Sequence, residues 1–310
     1  MSPPVVAVHG GKSGTLVLEG VRSALPGVTV IEAGTPDAAQ AEVLATLAGD
    51  PDDIASALTP GIRWVHVLGA GIDGFPLTAV GDRIVTCSRG AAAPAIAEFV
   101  LAAMLAFEKQ LPQVWITEPP DSWNSASLGS LEGSTVGIIG LGSIGTQVAR
   151  RALAFDMGVV AVRRRDLPAH LSGIALTGDL GELLASSDHV VIAAPATDRT
   201  EHLIDAAALA RMKPGAHLIN VARGSLVDQD ALLAALDEGR LARATLDVVD
   251  PEPLPTGHPL YGHDRVRLSP HVSWSSPRTL RRTMELFVEN VDRYRAGQDL
   301  LGAVDLKEGY

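Results

Sequence analysis

The chain has 310 residues, 46% of them hydrophobic, and a formal net charge of −11. That length supports a sizeable core and about two domains, and the acidic balance disfavours nucleic acid or an anionic membrane surface as a partner. A lone cysteine, Cys87, cannot form an intrachain disulfide, and the first residues lack the basic start and apolar core of a signal peptide, so the expectation is a soluble cytoplasmic protein.

Val5 to Val8 is a buried-strand candidate, followed by a glycine-rich turn and a helical pattern through Leu25. Val28 to Glu32 is the next expected strand, and the alanine-rich stretch from Ala38 to Leu47 an expected helix. Ile62 to Leu68 and Arg83 to Thr86 read as further strands. Strands alternating with helices imply a parallel sheet covered on both faces. Pro94 to Lys109 follows as a long helix, with Pro94 in its first turn and Pro112 beyond its end. Its apolar core, Ala95 to Phe107, is interrupted by Glu98 and too short to span a bilayer. Trp115 to Glu132, with Pro119 and Pro120, reads as an irregular surface connection.

A short β-prone run from Thr135 to Ile139 then leads into Gly140-Leu141-Gly142-Ser143-Ile144-Gly145, and Thr146 to Leu153 reads as a helix. This is the strand–turn–helix context of a dinucleotide fingerprint. Gly140 permits a tight turn, Gly142 lets backbone approach a pyrophosphate, and Gly145 lets the helix pack closely on the strand. The helix start offers unpaired N–H groups and a positive dipole end to phosphates.

A second alternation follows. Gly158 to Val162 is a strand, ending in Arg163, Arg164 and Arg165; Leu180 to Ala185 is a helix and Asp188 to Ala193 a strand. Asp205 to Met212 and Gln229 to Leu236 read as helices, and Ala216 to Val221, Ala244 to Val248 and Arg267 to Ser269 as strands. That is a complete doubly wound nucleotide-binding domain. Pro277 to Arg295 is an amphipathic helix with no further sheet to join, so it is expected to pack back on the first domain. The expected architecture is an α/β Rossmann domain (99–275) inserted into a discontinuous, flavodoxin-like substrate domain (1–98 and 276–310).

Three segments follow strands of the nucleotide domain, whose carboxyl ends line the ligand crevice. They are Asn220 to Asp228 with Arg223, Leu246 to Pro253 with Asp247 and Glu252, and Leu268 to Trp274 with His271. Together they supply a fixed cation, a carboxylate and an imidazole. Hydride transfer to a carbonyl needs such a set: a cation to polarise the carbonyl and neutralise a substrate carboxylate, and an acid to deliver the proton. Histidine suits the proton role, and a neighbouring glutamate favours its charged form and holds the ring. Taken singly, Arg223 could be a surface charge, His271 a structural histidine, Glu252 a turn residue, and Trp274 an aromatic wall or a core anchor. Cys87 reads as a small buried residue. The histidines show no metal-ligand spacing, so no metal is expected.

The order of Gly69-Ala70-Gly71-Ile72-Asp73, the central fingerprint, Val221-Ala222-Arg223-Gly224-Ser225-Leu226-Val227-Asp228, the Leu246 to Pro253 segment and Ser269-Pro270-His271 resembles the D-isomer-specific 2-hydroxyacid dehydrogenase family over nearly the whole chain. The resemblance implies that Arg223 binds substrate, His271 is the acid/base and Glu252 pairs with it. It implies that backbone N–H groups of Gly69, Ala70 and Gly71 hold the substrate carboxylate, and it leaves Trp274 as a substrate-side candidate. It places Ser143 and Ile144 on the pyrophosphate, Pro195, Thr197 and Ala222 along the cofactor, and Asp247 on the nicotinamide carboxamide. The implied reaction is reduction of a 2-oxo acid to a D-2-hydroxy acid, in a homodimer for which Trp115 to Glu132 is the natural arm.

Where members of the family that prefer NAD carry an acidic residue after the second nucleotide-domain strand, this chain has Arg163 followed by Arg164. A carboxylate would repel a 2′-phosphate, whereas guanidinium groups bind one, so NADP(H) is the expected cofactor, with NAD(H) possible. The alternative for these arginines is a solvated loop. Val67 and Leu68 ahead of Gly69 supply no cation for a phosphorylated substrate, and Glu252 stands where formate dehydrogenases of this fold carry glutamine. The compact length and the loop look most like glyoxylate/hydroxypyruvate reductases. Two alternatives are a dehydrogenase of bulkier 2-oxo acids and a dinucleotide-sensing, corepressor-like binding module.

Overall fold

The structure, a computed structural model, describes residues 3–11, 14–72, 74–164 and 171–306. Asp73 and Arg165, both singled out above, lie outside the described residues. The chain divides into two compact units, one made of the residues up to Ala92 together with those from Ser275 onward, the other of Ala93–Trp274.

The first unit holds β1 (Val6–His9), α1 (Gly14–Ala24), β2 (Val30–Glu32), β3 (Val43–Thr46), α2 (Pro51–Ser56), β4 (Trp64–Val67), α3 (Leu77–Val80) and β5 (Ile84–Cys87). Its five strands are parallel in the order β2-β1-β3-β4-β5. That is the flavodoxin-like order, as expected. The stretch from Ala38 to Leu47 is not a helix. Pro36–Gln40 makes a short 3-10 turn and Val43–Thr46 is the central strand, buried at every position. Alanine's helix propensity is a weak prior, and an apolar run this short cannot be told from a doubly covered strand by periodicity. The helix Pro277–Arg295 belongs to this unit. Ser276 caps it, its side chain accepting from Thr279 N at 3.1 Å, with Pro277 in the first turn. Phe287 and Val291 on it are buried in one core with Trp64, Val6, Val8 and Leu18.

The second unit opens with α4 (Ala93–Glu108), which packs on α5 (Ser143–Leu153) and on the sheet. The division between units therefore falls ahead of this helix rather than within it. After an irregular segment come β6 (Thr135–Ile139), α5, β7 (Gly158–Val162), β8 (Ile174–Thr177), α6 (Leu180–Ser186) and β9 (His189–Ile192). Then follow α7 (Ala206–Arg211), β10 (Ala216–Asn220), α8 (Gln229–Asp237), β11 (Leu241–Leu246) and β12 (Val266–Leu268). All seven strands are parallel, ordered β12-β11-β10-β9-β6-β7-β8. Read from β6 outward, this is the doubly wound nucleotide-binding order with a seventh strand, and the order reverses between β6 and β9. In this unit the strand missed by sequence patterning is β8. It lies at the sheet edge with its two central residues exposed, so it lacks the apolar run of a buried parallel strand.

Candidate active site

Ligands in such sheets bind at the carboxyl ends of the strands, beside the point where strand order reverses. Gly140 ends β6 there with φ of 99°, and a Cβ on it would lie 2.7 Å from Ala193 O and Ala194 N, just past β9. No other residue type fits. A Cβ on Gly145 would strike the Gly140 carbonyl, so α5 can lie this close to β6 only with glycine at that position. A Cβ on Gly142 would meet nothing within 4 Å, so the backbone faces open space where α5 begins. The first helical bond shown at this end is Thr146 N to Gly142 O at 2.9 Å. The N–H groups of Ser143 and Ile144 precede it at the positive end of the helix. This cradle fits a dinucleotide pyrophosphate.

Two flanks complete the rim. Val162, the last residue of β7, lies opposite Ile139, and Gly140 N donates to Val162 O at 2.9 Å, which sets Arg163 directly beside the fingerprint turn. Arg163 is half-buried, and one guanidinium nitrogen is enclosed without a hydrogen bond among the described residues; Arg164 is exposed. Past β9, Pro195 and Thr197 sit in a turn closed by Thr200, whose hydroxyl lies 2.9 Å from Pro195 O and accepts from Thr197 N at 2.8 Å.

The Arg223 turn follows β10. Asn220, quoted in the motif but given no role by sequence, braces it: its amide accepts from Ala222 N at 3.0 Å and donates to Arg223 O at 2.8 Å. Arg223 is half-buried and donates to Ala222 O at 2.6 Å.

The histidine turn is built on Asp247, a carboxylate only 1% exposed. Its Oδ1 accepts from Ser269 Oγ at 2.6 Å and Val272 N at 2.9 Å, and its Oδ2 from Ser273 N at 2.9 Å. His271 N donates to Asp247 O at 2.8 Å. His271 itself adopts φ of 53°, a left-handed conformation uncommon outside glycine. Trp274 secures the far side, its indole N–H donating to His271 O at 2.8 Å; at 41% exposure it is not a core anchor. The imidazole Nδ1 then meets Glu252 Oε2 at 2.8 Å, while Glu252 Oε1 accepts from Val249 N at 3.3 Å. A carboxylate only accepts, so Nδ1 carries a proton toward it and Nε2 is the remaining ring nitrogen. Nε2 makes no hydrogen bond among the described residues.

In the first unit, Gly69 and Gly71 are half-buried and Ala70 is exposed, in the turn after β4. Ser88 N donates to Gly69 O at 2.8 Å, fixing the turn. Among the described residues, the N–H groups of Gly69, Ala70 and Gly71 make no hydrogen bond.

Comparison with known proteins identifies the family. Residues 101–273 match the family described as D-isomer specific 2-hydroxyacid dehydrogenase, NAD binding domain. The chain belongs to the D-isomer specific 2-hydroxyacid dehydrogenase family. It is 35% identical over 243 residues to a glyoxylate reductase of Thermofilum pendens, covering 75% of this chain and 71% of that one. It is 34% identical over 283 residues to a D-3-phosphoglycerate dehydrogenase of Mycobacterium tuberculosis, covering 89% of this chain but only 53% of that one. Among solved structures, a D-isomer specific 2-hydroxyacid dehydrogenase from Xanthobacter autotrophicus Py2, in complex with NADPH and MES, matches with a TM-score of 0.84 and 30% identity, covering 99% of this chain and all of that one. The expected Rossmann fold is the one this family has. Among the described residues, no group of histidine, cysteine and carboxylate side chains could hold a metal, and no helix is long and apolar enough to cross a membrane.

Proposed function

We infer that this dehydrogenase reduces a small 2-oxo acid, such as glyoxylate or hydroxypyruvate, to the D-2-hydroxy acid, with NADPH as the preferred reductant and NADH as a possible one. The observation that carries this reading is the His271–Glu252 pair, with Nδ1 held by carboxylate at 2.8 Å and Nε2 without a hydrogen bond among the described residues. When bound, the nicotinamide supplies the hydride for the ketone carbon. His271 gives its Nε2 proton to the ketone oxygen, and Glu252 stabilises the charged imidazole and fixes its plane. Arg223 supplies the fixed positive charge that neutralises substrate carboxylate and polarises the carbonyl. The N–H groups of Gly69, Ala70 and Gly71 are donors suited to a substrate carboxylate, and Trp274 offers an aromatic wall on the substrate side.

On the cofactor side, Gly140, Gly142, Ser143, Ile144 and Gly145 hold the pyrophosphate, with Pro195, Thr197 and Ala222 along the rim. Asp247 Oδ2 accepts one bond among the described residues and retains a lone pair for the carboxamide NH2. Arg163, beside Gly140 where members that prefer NAD carry an acidic residue, favours a 2′-phosphate, with Arg164 as a second cation. The Xanthobacter relative whose structure holds NADPH supports the same preference. Val67 and Leu68 are buried and apolar where a phosphorylated substrate would need a cation.

The exposed Trp115, Ile116, Trp123 and Leu128, at 70%, 55%, 73% and 42%, support the segment after α4 as the arm of a homodimer. The buried free thiol of Cys87 suits a reducing cytoplasm. The test is the steady-state rate of NADPH and NADH oxidation with glyoxylate, hydroxypyruvate, pyruvate and bulkier 2-oxo acids. Turnover of the small acids, faster with NADPH, is expected. Tight cofactor binding with no turnover on any of them would mark a dinucleotide sensor instead.

A further inference from the structure

Glu252 sits in an exposed turn, and what fixes that turn is a residue in another element. The Gln229 side chain donates through Nε2 to Asp250 O, and its Oε1 accepts from Asp250 N at 3.1 Å. A single amide thus satisfies both backbone groups of Asp250, as a neighbouring strand would. Gln229 is rigidly placed, as the first residue of α8, directly after the capping residue Asp228, whose side chain accepts from Ala231 N at 3.0 Å. The same stretch of chain touches the Glu252 turn a second time. A Cβ on Gly224 would run into the carbonyl of Val249 and the nitrogen of Asp250, so the residue next to Arg223 lies flat on the Val249–Asp250 peptide. Val249 N is in turn the donor to Glu252 Oε1 at 3.3 Å.

We propose that Gln229 is a positioning residue for the Glu252–His271 pair: its clamp on Asp250 holds the glutamate turn in the same frame as the Arg223 turn. The proposal rests on the reading of His271 as proton donor and Glu252 as its partner. Without the clamp, Asp250 loses both bonds to Gln229, and the glutamate two residues on loses its fixed approach to Nδ1. A side chain held within an ångström of its working position commonly controls rate out of proportion to its distance from the reaction.

The experiment compares wild type, Gln229→Met, Gln229→Ala and Glu252→Gln as full chains. For each, kcat and KM for glyoxylate with NADPH, the pH profile of kcat/KM, cofactor binding and the melting temperature are measured. Methionine keeps the length and apolar stem of glutamine without its hydrogen bonds. Gln229→Met should lower kcat about tenfold with KM changed less than about twofold. It should also change the alkaline limb of the profile in the same sense as Glu252→Gln, because both variants lose the carboxylate's fixed contact with Nδ1. Gln229→Ala should show the same pattern, with cofactor binding unchanged in both. A lowered melting temperature with wild-type kcat and an unmoved limb would overturn the proposal and leave Gln229 as a stabiliser of the start of α8. If Glu252→Gln also leaves the limb unmoved, the proton-donor reading itself falls, and the positioning role with it.

Discussion

His271 Nδ1 and Glu252 Oε2 lie 2.8 Å apart although 19 residues of chain separate them. The glutamate follows β11 and the histidine follows β12, adjacent parallel strands whose carboxyl ends necessarily share one edge of the sheet. The pair is therefore a product of topology: a right-handed crossover returns the chain to the same edge each time.

His271→Ala should remove most of kcat, about a hundredfold or more, because a positioned general acid contributes on that scale. Cofactor affinity should stay near wild type, since the fingerprint lies on other strands of the sheet. Stopped-flow hydride transfer together with cofactor fluorescence separates the two effects. A variant that kept its kcat would show that the proton comes from elsewhere. Arg223→Ala differs in kind, and should raise KM for the oxo acid as well as lower kcat.

Arg163 permits a sharper test of cofactor choice. It follows β7 beside Gly140, and one of its guanidinium nitrogens has no hydrogen bond among the described residues. Arg163→Ala should lower kcat/KM for NADPH by roughly tenfold or more, the scale of a charge-assisted hydrogen bond, and leave NADH nearly unchanged. Equal losses for both cofactors would assign the side chain to packing of the turn.

Much of this was legible in the sequence because the chemistry sits where glycine, proline and strand ends punctuate it. Gly140 and Gly145 sit where a side chain would collide with backbone, and the Arg223, Glu252 and His271 segments each follow a strand of the second alternation. Val43–Thr46 was not legible, because Glu42, Ala45 and the surrounding alanines suit a helix until β1 and β4 claim the segment from either side. Nor was the work of Asn220 and Gln229. An amide side chain can bond almost anything, and only the three-dimensional course of the chain shows which backbone groups it satisfies.

Buried histidines make stability sensitive to acid. His66 on β4 is fully buried, with Nδ1 2.6 Å from Thr86 Oγ1 and Nε2 3.1 Å from Ser88 Oγ, and Phe287 stacks on it at 4.9 Å between ring centres. Burial pushes its pKa down to about 3. The imidazole is neutral in both folded and unfolded chains above about pH 6.5, so its contribution is fully present there. As pH falls from 6.5 toward 3, the unfolded chain gains a proton that the folded chain refuses, and stability declines. At pH 5 this one residue should cost about 2 kcal/mol relative to pH 7. His189 in the second unit is also lowered by burial, to about 4, and acts in the same direction. Denaturant melts of wild type and His66→Gln at pH 5 and pH 7 check this. The variant, though less stable at pH 7, should show a smaller loss on acidification, and an unchanged loss would remove His66 from the account.

Asp247 joins stability to catalysis through one carboxylate. Both its oxygens accept, from Ser269 Oγ, Val272 N and Ser273 N, and these bonds hold the turn in which His271 adopts its left-handed backbone. Asp247→Asn preserves shape but turns one acceptor into an NH2 that must face a backbone N–H, or forfeit a bond to avoid it. The expected cost is about 1–3 kcal/mol of stability, the scale of a buried donor left unsatisfied. Because the strained turn loses its anchor, kcat should fall together with stability, whereas Asp247→Glu should overfill the buried space and do both more severely. Measuring urea midpoints alongside single-turnover rates separates the alternatives. A stable Asp247→Asn enzyme with a weakened cofactor and a normal hydride-transfer rate would place the residue's main role on the nicotinamide side rather than under His271.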